Sequence, residues 1–111
     1  MMVTGESRLF SVPLFRGGDM SVRAVHLIAH GRVQGVGFRF FVRGHAVSSG
    51  VRGWVRNLPD GTVEMYGEAE EAVLRDFIRK IKQGPMFGSV SELSQDWIEP
   101  EGDHQHFDIV Y

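Results

Sequence analysis

No cysteine occurs in the 111 residues. That excludes thiolate phosphatase chemistry, structural disulfides, thiolate iron–sulfur ligation and Cys-type zinc sites. It also leaves the compartment unmarked, with the cytoplasm as the default expectation. No apolar run approaches the ~20 residues that span a bilayer, so no membrane association is expected. The run from Leu9 to Phe15, broken by Pro13, is too short for a secretory core. Acids are missing over one long stretch: Ser21 to Pro59 contains no Asp or Glu, yet holds six arginines, at 23, 32, 39, 43, 52 and 56. Residues 60–111 reverse the balance, with twelve acids against Arg75, Arg79, Lys80 and Lys82. The net charge of −2 argues against general nucleic-acid affinity. The division suggests instead a local anion site on an otherwise acidic body.

The length suits one domain with a real core. Residues 1–20 carry no periodic apolar face and end near the break Gly17-Gly18. They are expected to form a disordered tail, or a leader upstream of a start at Met20, with the domain at 21–111. Val22 to Ala29 reads as a buried strand. Phe38, Phe41, Val42, His45, Ala46 and Ser49 recur at helical spacing, predicting a helix over 38–49 closed by Gly50. Val51–Asn57 and Thr62–Glu68 read as strands of a hairpin around Pro59-Asp60-Gly61. A second helix is expected to begin among Glu68, Glu70 and Glu71, to bury Leu74, Phe77, Ile78 and Ile81, and to stop at Gly84-Pro85. Val90–Ile98 and Phe107–Tyr111 supply further strands. The order β-α-β-β-α-β, with a short extra strand, predicts a ferredoxin-like α/β sandwich of the α+β class, its two helices on one face of an antiparallel sheet.

Between the first strand and the first helix lies Gly31-Arg32-Val33-Gln34-Gly35-Val36-Gly37-Phe38-Arg39. Glycines 31, 35 and 37 allow a tight loop whose N–H groups converge on an anion, and a helix N-terminus adds partial positive charge. An arginine in the first helical turn can fork onto phosphate oxygens. Neither common phosphate motif fits. Walker A needs Lys and then Ser or Thr after its last glycine, and Phe38 follows Gly37; the dinucleotide fingerprint needs glycine where Phe40 stands. By themselves these glycines also suit a plain strand-to-helix connector, and Arg39 a solvated arginine. Asn57, ahead of Leu58-Pro59-Asp60-Gly61, is accounted for as a turn-initiating asparagine.

The stretch from His30 to Arg39 closely resembles the first signature of the acylphosphatase family. Gly53-Trp54-Val55-Arg56-Asn57, followed by Asp60-Gly61-Thr62-Val63-Glu64, resembles its second, and Gly84-Pro85 also matches. The resemblance covers residues 22–111. It implies a hydrolase that splits the carboxyl–phosphate bond of a small acyl phosphate, such as acetyl phosphate, bisphosphoglycerate or carbamoyl phosphate. Arg39 would bind the phosphoryl group, the N–H groups of roughly Arg32 to Phe38 would cradle its oxygens, and Asn57 would hold the attacking water. Arg32 has no essential role in that picture. No cofactor and no metal are implied. A cytoplasmic monomer whose partner is its small substrate is expected.

Two other readings compete with this one. One is a non-catalytic module handling carbamoyl or acyl phosphate, as in hydrogenase-maturation proteins; the absence of a partner domain in these 111 residues argues against it. The other is an RNA-binding domain of similar topology, because Gly35-Val36-Gly37-Phe38-Arg39-Phe40-Phe41-Val42 faintly matches an aromatic motif that such domains carry on a central strand. Here that stretch opens a helix. Of the five histidines, His104 and His106 would share a strand face, a metal pair without a third ligand of suitable spacing. Surface or packed roles are expected for all five.

Overall fold

Aliphatic residues at alternate positions make Val22–Arg32 the first strand, β1, with Val25, Leu27 and Ala29 fully buried on one face. The structure, a computed structural model, describes residues 21–111. The expected tail or leader, residues 1–20, lies outside the described residues. Helix α1 spans Phe38–Ser49 and buries Phe38, Val42 and Ala46, one residue per turn. Gly50 ends it in a left-handed conformation (φ 78°), returning its N–H to the last turn. Strands β2 (Arg52–Asn57) and β3 (Val63–Glu70) form the hairpin around the Pro-Asp-Gly turn. Helix α2, Glu71–Gln83, buries Leu74, Phe77, Ile78 and Ile81. Glu71 lies in its first turn and Lys80 and Lys82 in its last, as the helix dipole favours. Strands β4 (Ser89–Ile98) and β5 (Phe107–Ile109) complete the chain.

The sheet order is β4-β1-β3-β2-β5, and both helices pack against the sheet face that carries the core. This is the ferredoxin-like α+β sandwich. Its sheet is mixed rather than wholly antiparallel, because β5 runs parallel to β2. Registers align Leu93, Ala29, Val63 and Asn57 in one row across β4, β1, β3 and β2. The end of β1 and the end of β2 therefore lie at the same edge of the sandwich.

Two expectations are corrected. Strand β1 runs three residues beyond Ala29, because Gly31 and Arg32 pair with Val90 and Ser89 past a bulge at His30/Gly31. Gly31 and Arg32 thus belong to the sheet, and the connecting loop is residues 33–37. Glu68 does not open α2; it lies inside β3, on the face away from the helices, and is fully buried.

That outer face is covered by the segment 99–106. The Glu101 N–H donates to the Tyr66 hydroxyl and the Gly102 N–H to Glu68 Oε2, each at 2.7 Å. The Tyr66 hydroxyl donates to the same Oε2, while Oε1 has no partner among the described residues. The His104 ring packs 5.1 Å from that of Tyr66, and its Nε2 bonds Glu101. Burial alone would raise the Glu68 carboxyl. The Gly102 N–H, the Tyr66 hydroxyl and the charges of His104 and Arg52 outweigh it and hold the pKa below the ordinary 4.5. Burial pushes the Tyr66 phenol well up. The bond to Glu101, reinforced by the Asp103 and Glu68 charges, raises His104 above 6.5.

These shifts set a pH window for the strap. A raised His104 contributes stability that is complete below pH 6.5 and is lost as pH rises through its folded value. A lowered Glu68 contributes stability that is complete above pH 4.5 and is lost as pH falls through its folded value. Urea midpoints measured from pH 4 to 9 should therefore fall on both sides of this window. His104→Ala should flatten the alkaline limb and soften the acid limb only in part, because the His104 charge is one of several groups that hold the Glu68 carboxyl down; an unaltered alkaline limb would show that His104 carries none of it.

Candidate active site

Helix α1 begins on glycine. Gly35 (φ 74°) and Gly37 (φ 75°) are both left-handed, with open space where a Cβ would stand. The backbone angle alone therefore demands glycine at these two positions. They turn the chain from β1 into α1, between Val33 and Phe38, which are 1% and 2% exposed and anchor the loop at either end. Gly37, the N-cap, brings no capping side chain, and no acid stands in the first turn. The leading N–H groups of α1 are thus left to water or to an anion.

Arg39, the second residue of α1, is half-buried. Among the described residues no carboxylate pairs with it; its guanidinium carbon lies 5.0 Å from the centre of the Tyr111 ring. Other arginines of the acid-free stretch are engaged. Arg23 bonds Glu71 at 2.8 Å, Arg56 bonds Glu64 at 2.6 Å, and Arg43 donates to the Phe107 carbonyl. Arg32 is exposed at the end of β1.

Gln34 relates this loop to Asn57. Its Nε2 donates to the carbonyls of Leu58 and Thr62, both at 2.8 Å. That turn is itself braced: Leu58 N–H reaches the Thr62 carbonyl at 2.9 Å, and Thr62 donates from both N–H and hydroxyl to Asp60 Oδ1. The Thr62 bonds hold the Asp60 carboxyl below its usual range. Asn57 directly precedes Leu58 and is exposed. It shares the parity of buried Val55, so its side chain leaves β2 on the helix-bearing face. The loop with Arg39 and the strand end with Asn57 are thereby brought to one edge of the molecule. The sequence suggested only backbone N–H groups for Gln34. Its amide is not legible in the sequence, because no spacing rule announces a side chain that bonds carbonyls 24 and 28 residues on.

A cleft of about 470 Å³ lies elsewhere, lined by Arg43, Arg52 and His106 among others. His104 and His106 do not share a strand face; both lie in the irregular segment before β5. Glu101, Asp103 and His104 have ligand atoms within 4.8 Å of one another, and His104 Nε2 there faces both carboxylates. Among the described residues no helix is long and apolar enough to cross a membrane.

Comparison with known proteins bears directly on this edge. The acylphosphatase family model matches residues 25–109, which takes in the loop, Arg39 and Asn57. The Bacillus pumilus acylphosphatase is 42% identical over 84 residues, covering 76% of this chain and 93% of that protein. The crystal structure of the Bacillus subtilis acylphosphatase superposes with a TM-score of 0.78 at 39% identity, over 80% of this chain and 99% of that one. Full-length HypF, in its phosphate- and nucleotide-bound form, superposes with a TM-score of 0.74 at 30% identity, but the match covers 13% of it. Sequence, length of match and topology agree, and the chain belongs to the acylphosphatase family.

Proposed function

We propose that this protein is an acylphosphatase: acyl phosphate and water give a carboxylate and inorganic phosphate. The reading is carried by one observation, the Gln34 bridge, which joins the left-handed glycine loop and Arg39 to the turn that follows Asn57. Identities of 42% and 39% to the Bacillus enzymes, against 30% to HypF, support it over a carbamoyl-phosphate-handling module. Residues 21–111 form the catalytic domain and 1–20 lie outside it. The enzyme works as a cytoplasmic monomer on a small substrate, without nucleic acid.

Arg39, unpaired with any carboxylate among the described residues, neutralises the phosphoryl group bidentately. The N–H groups of residues 33–38 bind the same oxygens, and Arg32 adds only its field. The Asn57 amide aims the water. The leaving carboxylate has a conjugate acid of pKa ~4, so its departure near pH 7 needs no general acid. Phosphoryl transfer demands chiefly position and charge, and a phosphate oxygen of the substrate takes the proton of the water. That division of labour suits a loop with no acid between residues 21 and 59.

Four outcomes follow for benzoyl phosphate hydrolysis. Arg39→Ala should lose phosphate binding and about 10³-fold in rate together, or ~4 kcal/mol of transition-state stabilisation. Arg39→Lys should fail nearly as badly, because an ammonium lacks the planar fork; near-wild-type turnover by the lysine variant rules out the bidentate role. Asn57→Ala should keep phosphate affinity and lose kcat, since water is aimed chiefly in the transition state. If the folded variant, checked by thermal melting, keeps its kcat, Asn57 serves the turn alone. Turnover should persist in chelator; a rate lost to chelator and restored by a divalent ion contradicts the charge assignment to Arg39 and the amides.

A further inference from the structure

The loop 33–37 has two unlike neighbours. On one side stands the β2–β3 turn, with Asn57, Asp60 and Thr62. On the other stands the turn Pro85–Gly88 that leads into β4. The sheet order sets them on opposite flanks, because β3 and β2 lie to one side of β1 and β4 to the other. The second turn is held close to the loop. Gly31 and Arg32 pair with Val90 and Ser89. A Cβ at Gly88 would stand 2.8 Å from the Arg32 carbonyl oxygen and 3.0 Å from Val36 Cγ2, so only glycine permits this approach. The Gly88 N–H closes the turn on the Pro85 carbonyl at 3.2 Å. At its tip Met86 and Phe87 are 89% and 73% exposed. Neither contributes to the core, and both stand in water within two residues of Gly88, whose backbone meets the loop at Arg32 and Val36.

Resting on the hydrolase reading above, we infer that Met86 and Phe87 receive the acyl group of the substrate and favour aromatic acyl phosphates over acetyl phosphate. Direction follows from the chemistry. The attacking and leaving oxygens lie roughly in line through phosphorus. The water oxygen forms the new P–O bond while the bond to the acyl oxygen breaks. Its electron pair leaves with the carboxylate, and the water's proton passes to phosphate. Water held on the Asn57 flank sends the leaving oxygen toward the opposite flank, that of Met86 and Phe87. The carbon skeleton attached to that oxygen is carried over a thioether and a phenyl ring. Contact there removes apolar surface of both partners from water, and a flexible Met adapts to acyl groups of different shape. Acetyl offers a single methyl to that contact, a benzoyl group a whole ring.

The test compares the wild type with a Met86→Ser/Phe87→Ser double variant on benzoyl phosphate and acetyl phosphate, with inorganic phosphate as competing ligand. The wild type should show kcat/KM for benzoyl phosphate at least about tenfold above that for acetyl phosphate. The double variant should lose about tenfold on benzoyl phosphate, and less than about threefold on acetyl phosphate and in phosphate affinity. Phe87→Leu should fall between the two. Both side chains lie outside the core, so the variants fold, which melting curves verify. A wild type without preference, an unchanged benzoyl-to-acetyl ratio, or equal losses on both substrates overturns the inference and leaves the hydrolase reading standing. A wild type that hydrolyses neither substrate defeats that reading, and the inference with it.

Discussion

Two hydrogen bonds from one amide set the geometry of the whole edge. Without them the glycine loop belongs to β1 and α1, the turn 58–62 belongs to β2 and β3, and the sheet register brings the two to one edge without a direct tie. Gln34 Nε2 spends both of its N–H donors on the carbonyls of Leu58 and Thr62. The Thr62 carbonyl also closes the turn by accepting from Leu58, so loop and turn share an acceptor and move together. A loop with left-handed residues at 35 and 37 is free to shift unless something outside holds it. The arrangement illustrates why a small catalytic set needs a supporting shell: distance between two reacting groups is governed by a third that touches neither reactant.

The charge division has a counterpart in space. Acids of the second half reach back to arginines of the first at Arg23–Glu71 and Arg56–Glu64. The latter carboxylate is also shared with His26, on the face away from the helices. Those pairs are partly exposed and individually worth little stability. Their effect at the candidate site is by omission. They occupy cations elsewhere, and among the described residues Arg39 meets only the Tyr111 ring, an attraction weak enough to yield to a phosphate.

Much of this was legible beforehand, for reasons that differ by element. Helix α1 could be read to its ends because its apolar residues repeat each turn and glycine stands at both caps. The hairpin could be read because Pro-Asp-Gly has few other uses. The loop, Arg39 and Asn57 were legible through family resemblance, since local rules alone left each with an ordinary alternative. What escaped was non-local. Gly31 and Arg32 look like loop residues until β4 arrives to pair with them. Glu68 looks like a helix-opening acid until a segment more than thirty residues away donates to it. The direction of β5 is decided by which sheet edge remains free, which no periodicity encodes.

Strand β5 is three residues long, yet it changes what the molecule offers to its neighbours. Without it β2 would be an outer strand, presenting unpaired amides beside Trp54 and Val55. Instead Gly53 donates to the His106 carbonyl at 2.8 Å and Val110 donates to the Val55 carbonyl at 2.9 Å. The opposite edge, β4, is guarded otherwise, by Glu92 and Asp96 along its length. A sheet grows by recruiting strands, from its own chain or from another, and a short parallel cap ends that growth where it is least defended. The short strand β5 thus leaves little backbone on that edge to which a second copy could add a strand, a guard set by backbone geometry rather than by charge.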